Sequence, residues 1–215
     1  MNDTVGLRPA AGFVEPRVRE EFPGLRLHWI TRDARRGPSP PSVHHQLSEL
    51  SSRYRGAGVV AMRTKPIPHA YRTFFRQIGL DPDVDRIPSE EVAVTRLMQG
   101  GLRSAGLIED ACLVALVETG VPVWALDADA VAPGGLGIRT AAADDSVPTD
   151  QLVLEPGTLV VADESSIHAL LFAEPVRGHG IGSRTRRVTL FAIAVDGVPA
   201  IHVEEALWIC AELLS

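Results

Sequence analysis

Cys112 carries one of only two thiols in a chain of 215 residues. A thiolate attacks esters when a neighbouring base or positive charge keeps it ionised. Cys112 stands in the run Ile108-Glu109-Asp110-Ala111-Cys112-Leu113-Val114-Ala115-Leu116-Val117, where the ordinary use of a cysteine is as a small buried apolar group. His168, between Ile167 and Ala169, is the candidate base, and its ordinary use there is as a fully bonded or edge histidine. Arg139 ends an apolar strand pattern, so its guanidinium needs an anion: Asp163 or Asp127 as a structural pair, or a ligand. Six more arginines fall into two clusters, Arg32, Arg35 and Arg36, then Arg184, Arg186 and Arg187. Each cluster reads as solvated surface charge or as a set of RNA-phosphate contacts. His44, His45, His69, His179 and His202 show no ligand spacing with cysteines or carboxylates, so no metal is expected. The glycine-rich stretch from Gly178 to Arg184 does not lead from a strand into a helix, so no nucleotide cofactor is expected either.

The elements that must position these groups are legible mainly between residues 79 and 127. Pro82 forces a turn, Ser89 is expected to cap a helix that Glu90 and Glu91 favour at its positive end, and Gly100-Gly101 stops it near Gln99. The run from Ile108 is apolar nearly all round after an acidic start, which predicts a helix buried between layers and ended by Gly120. A strand leaves through Val123-Trp124-Ala125-Leu126-Asp127. Around this centre the pattern predicts strands over 25–30, 58–62, 136–141, 159–162, 167–172 and 187–195, and helices over 42–55, 67–78 and 199–214. Arg72 and Arg76 share one helix edge, facing phosphate or carboxylates such as Asp81. Residues 1–21 lack periodicity and read as a flexible segment before a single α+β domain over 22–215.

Composition fits one globular domain, with 45% hydrophobic and 22% charged residues. A net charge of -6 argues against indiscriminate nucleic-acid binding and leaves room for a local basic face. There is no apolar run long enough to span a membrane and no cationic leader, and two cysteines in apolar contexts suit a reducing compartment, so a cytoplasmic protein is expected.

The ordered set Gly79, Asp81, Pro82, Arg86, Ser89, Glu91 and Arg96, then Glu118-Thr119-Gly120-Val121-Pro122 and Ala125-Leu126-Asp127, resembles the B3/B4 domain. That domain occurs in the beta subunit of bacterial phenylalanyl-tRNA synthetase and as free-standing proteins. Gly137-Ile138-Arg139-Thr140-Ala141, Leu159-Val160-Val161-Ala162-Asp163, Thr185 and the strand from Val188 to Val195 continue the likeness. The resemblance implies a sandwich of mixed β-sheets around a buried central helix, and a site that hydrolyses misacylated tRNA. It also implies where the pocket falls: Ala111 and Cys112 match a family Thr-Asn pair, Trp124 matches a His, and a pocket-lining segment falls on residues 172–176. The polar groups of the family pocket are thereby replaced by a methyl, a thiol and an indole. The same register brings His168 toward Cys112 as a base, and sets Arg139 and Asp163 beside the substrate. Two readings follow: an editing-type aminoacyl-tRNA deacylase with an altered pocket and tRNA on the arginine clusters, or a non-catalytic module binding tRNA or a small amino-acid-like ligand. They differ in whether Trp124 and Cys112 line an open cavity or plug it.

Overall fold

In a computed structural model of the chain, residues 8–53, 64–143, 145 and 154–215 are described. The strand expected over 58–62 lies outside them. Two four-stranded sheets form the frame. The first has the order β1 (Ala10–Ala11), β3 (Arg26–Asp33), β8 (Arg187–Ala194), β4 (Val123–Asp127), antiparallel throughout. The second runs β2 (Phe13–Val14), β5 (Gly137–Thr140), β6 (Leu159–Ala162), β7 (Ile167–Leu170), with β2 parallel to β5 and the other pairs antiparallel. The architecture is therefore α+β, with two sheets of which the first is antiparallel and the second mixed.

The helices are α1 (Pro16–Glu21), α2 (Pro41–Arg53), α3 (Pro66–Gln77), α4 (Pro88–Gln99), α5 (Leu107–Thr119) and α6 (Ala200–Leu213). Helix α5 is the expected buried helix, and its lack of a polar face has a structural cause. Ala111 and Ala115 join the main core, while Val114 packs with Val43, Leu47 and Leu50 on α2. Gly120 ends it at φ 77°, a left-handed conformation open to glycine at little cost. Helix α6 turns Val203, Leu207 and Cys210 inward, all fully buried.

Three local expectations need correction. Residues 10–21 are not a loose leader: β1 extends one sheet, β2 extends the other and α1 follows. Two-residue strands show no periodicity that a sequence could display. Helix α4 begins at Pro88, one residue before the expected cap, because proline suits the first helical position. Ser89 is buried within the first turn and its hydroxyl has no partner among the described residues. Strand β7 stops at Leu170, and Phe172 takes φ 64°, rare for a residue with a β-carbon. Its ring packs on Tyr71, Phe74 and Phe75 at centroid distances of 5.7, 5.8 and 5.3 Å, which holds the strained turn in place.

Where the two sheets meet, Gly135 passes close over the Trp29 indole at φ 81°, and a β-carbon there would lie 2.5 Å from the ring. Gly135→Ala is expected to destabilise the fold by about 1–3 kcal/mol from overpacking and a similar amount from backbone strain. An unchanged urea midpoint would refute this close packing.

Candidate functional site

Cross-strand register sets up the site. Trp29 and Trp124 both oppose Phe191, so three aromatic rings form a row across the first sheet. Trp124 stacks on Phe191 at 5.5 Å and 17° and leans on Phe172 at 5.9 Å. These contacts fix the indole along one wall of a cleft of about 1080 Å³. Cys112, Leu113 and Leu116 from α5 form the second wall, and residues 172–178 and 180–185 form the third. Trp124 and Cys112 line this cleft and do not fill it.

Polar groups stand among its lining residues. The Thr185 hydroxyl donates to Asp127 Oδ2 at 2.6 Å and accepts from the Gly182 amide at 3.0 Å, while Asp127 Oδ1 accepts from the Asp129 amide at 3.1 Å. Asp127 and Thr185 both line the cleft, so this carboxylate is held still at its wall. Arg86 pairs with Glu91 at 3.4 Å and Arg36 pairs with Glu109 at 3.7 Å; Arg86, Glu91 and Glu109 are also lining residues.

The two arginine clusters, far apart in sequence, are neighbours in space. Strands β3 and β8 pair Asp33 with Arg187, and the Ala34 amide donates to the Arg186 carbonyl at 3.0 Å. Arg184 lines the cleft, and Arg36 reaches the lining residue Glu109. Each cluster thus touches the border of the cleft, one through Arg184 and the other through Arg36. Arg35, Arg184 and Arg187 form no ion pair among the described residues. Burial pushes the Arg32 guanidinium below its ordinary pKa, and its Nε is buried without a partner. An incoming anion would give that Nε an acceptor.

A second polar group lies off the cleft. Asp163 Oδ2 accepts from His168 Nε2 at 2.9 Å and from the Ala132 amide at 2.7 Å. Its Oδ1 accepts from the Ser165 amide and hydroxyl and from the Ser166 amide. Burial alone would raise the Asp163 pKa, but these donors outweigh it and hold the carboxyl well below its ordinary value. His168 Nδ1 meets His179 Nδ1 at 2.8 Å, so the three side chains form one line. His179 belongs to the segment that walls the cleft: Gly178 and Gly180 line it, and the His179 carbonyl accepts from the Asp127 amide.

One proton must lie between the two Nδ1 atoms, so both rings cannot be protonated while the bond stands. Burial, with the charge of His168 second, lowers the His179 pKa from 6.5, and Asp163 raises it by less. The folded value is depressed, so this group's stabilisation is complete above pH 6.5 and is lost as pH falls below it. His28, desolvated under α6, shifts the same way. His179→Asn is expected to flatten the fall of thermal stability as pH drops below 6.5, leaving the His28 share. Melting curves across that range check it, and an unchanged slope would exclude His179.

Of the residues given a site role in sequence, Cys112, Trp124 and Arg184 reach the cleft, as does the pocket segment expected at 172–176. Ala111 is fully buried behind Cys112 and does not line it. Both ring nitrogens of His168 are engaged with Asp163 and His179, and no hydrogen bond joins it to Cys112. Arg139 pairs with Asp145 at 2.5 and 2.9 Å, not with Asp163 or Asp127, because the chain after β5 turns back and brings Asp145 into reach. Arg72 binds Glu90 and Asp83, not Asp81. Among the described residues no group of histidines, cysteines and carboxylates is set to hold a metal, and no helix is long and apolar enough to cross a membrane. The sequence reading gave Asp127, Thr185, Glu91, Glu109 and His179 no place at the cleft, because their roles come from tertiary contacts rather than spacing.

A sequence profile of the B3/4 domain matches residues 70–203. The chain is also similar to phenylalanine–tRNA ligase beta subunits: 30% identical over 139 residues to that of Tropheryma whipplei, covering 63% of this chain and 14% of the relative. The Gloeobacter violaceus subunit is 32% identical over 124 residues, covering 53% and 16%. The Nitrosococcus oceani subunit is 32% identical over 98 residues, covering 44% and 12%. The matched stretch is thus a small part of each of these relatives. With the profile spanning more than half of the sequence, the chain belongs to the B3/4 domain family.

Proposed function

We propose that the cleft takes the aminoacyl end of a charged tRNA and that the protein is an editing-type deacylase with an altered pocket. The observation that carries this reading is the open cleft: Trp124 and Cys112 form walls around space rather than a plug. Trp124 and Phe172 offer an apolar surface to the amino-acid side chain, and the joined arginine clusters offer a rim for phosphates. Asp127, held by Thr185 and the Asp129 amide, is the wall carboxylate best fixed to orient a water toward an ester carbonyl. Cys112 serves as wall, and His168 acts through His179 on the segment that carries Thr185.

The second reading is a module that binds the same end without hydrolysis. It is favoured by the engagement of His168 with Asp163 and His179, which leaves Cys112 without that base. Deacylation of a panel of mischarged tRNAs separates the two, with Asp127→Asn, Cys112→Ala and His168→Ala measured beside the native chain. Hydrolysis of one ester, cut at least about tenfold by Asp127→Asn and little by Cys112→Ala, supports the deacylase. Salt-sensitive tRNA binding with no hydrolysis leaves the binding module, and neither activity rejects both.

A further inference from the structure

Two thiols meet where α5 packs on α6. Cys112 is half-buried on the cleft wall, and Cys210 is fully buried behind it. The Cys210 thiol donates to the carbonyl of Ala111, the residue before Cys112, at 3.3 Å. The Cys112 thiol is its other interaction partner, and both side chains pack in the same core. The arrangement is asymmetric, with one sulfur open to the cleft and the other sealed in apolar surroundings that keep it a thiol.

We propose that Cys112 and Cys210 form a peroxide-reactive dithiol, in which Cys112 is oxidised first and Cys210 resolves it into a disulfide. The Cys112 thiolate attacks one oxygen of a hydroperoxide, the O–O bond breaks, and the departing oxygen takes a proton, leaving a sulfenic acid. Cys210 sulfur then attacks the Cys112 sulfur; the S–S bond forms as the S–O bond breaks, and the Cys210 proton leaves with the hydroxyl as water. With hydrogen peroxide, two thiols are oxidised to one disulfide and the peroxide is reduced to two waters. The Cys210 sulfur already lies against the backbone next to Cys112, so side-chain rotation is expected to supply most of the approach. The bond would tie α5 to α6 and draw the Cys112 sulfur away from the cleft. This site is independent of what the cleft binds.

The purified native chain is treated with hydrogen peroxide and its mass and cysteine peptides are followed. The expected result is a loss of two hydrogen masses, a cross-linked pair of peptides holding Cys112 and Cys210, joint loss of both thiols to alkylation in denaturant, and recovery with dithiothreitol. In Cys210→Ala, Cys112 is expected to gain oxygens instead. If Cys112 of the native chain gains oxygens while Cys210 stays alkylatable, if cross-links join two chains, or if neither thiol reacts, the proposal is overturned. The native chain carries the test even if the variant fails to fold.

Discussion

Asp163→Ala is expected to cost at least about 3–5 kcal/mol of folding stability, because it strands several donors at once. Asp163 accepts from the amides of Ala132, Ser165 and Ser166, the Ser165 hydroxyl and His168 Nε2. His168 is fully buried, so it cannot turn to water for a replacement. A loss of this size is a large part of the total stability of a single domain. Asp163→Asn keeps the shape and an acceptor oxygen but loses the charge, so it is expected to cost less than alanine. Urea unfolding of both variants checks the order, and an alanine variant within about 1 kcal/mol of the native chain would remove the group from any structural role.

The second large effect is expected at Arg72, which joins α3 to the start of α4. Arg72 Nη1 donates to both oxygens of Glu90 at 2.9 and 2.8 Å and to the Pro82 carbonyl at 3.1 Å, and Nη2 donates to Asp83 at 2.6 Å. Arg72 is 6% exposed and Glu90 4%, so the pair is almost wholly removed from water. Arg72→Met takes the cation away and leaves the carboxylate in place, at an expected cost of about 3–5 kcal/mol. Adding Glu90→Leu removes the carboxylate that has lost Arg72, and the double variant is expected to regain part of the loss. Since α4 carries Glu91 and Val92 to the cleft, the single variant should also weaken ligand binding. Equal stability of the single and double variants would contradict the account of the pair.

These two clusters also mark what the sequence could and could not reveal. Helix α5 was readable because its apolar run, acidic start and glycine stop are local signals that agree with its packing. The inward face of α6 was readable from the helical spacing of Val203, Leu207, Cys210 and Leu214. The line from Asp163 through His168 to His179 was not, since it depends on how the chain turns after β7, and the non-glycine Phe172 at φ 64° hides that turn. The meeting of the two arginine clusters follows from the β3–β8 register, which no local pattern encodes. At the site, Trp124 and Cys112 were legible through family likeness. Asp127 and Thr185 stood in the same motifs, but only the bond between them sets the carboxylate on the cleft wall. An ion pair for Arg139 was readable but its partner was not, because Asp145 lies in a stretch without periodicity.

The central claim is that the open cleft, rather than the basic rim alone, recognises the aminoacyl end of tRNA. The direct test is the affinity of the protein for a tRNA bearing a non-hydrolysable aminoacyl group at its 3′ end, against the same tRNA uncharged, with Trp124→Ala measured in parallel. The account predicts tighter binding of the charged form, at least about tenfold, and loss of that preference in Trp124→Ala while salt-sensitive binding of uncharged tRNA persists. Equal affinity for the two forms in the native chain would contradict it.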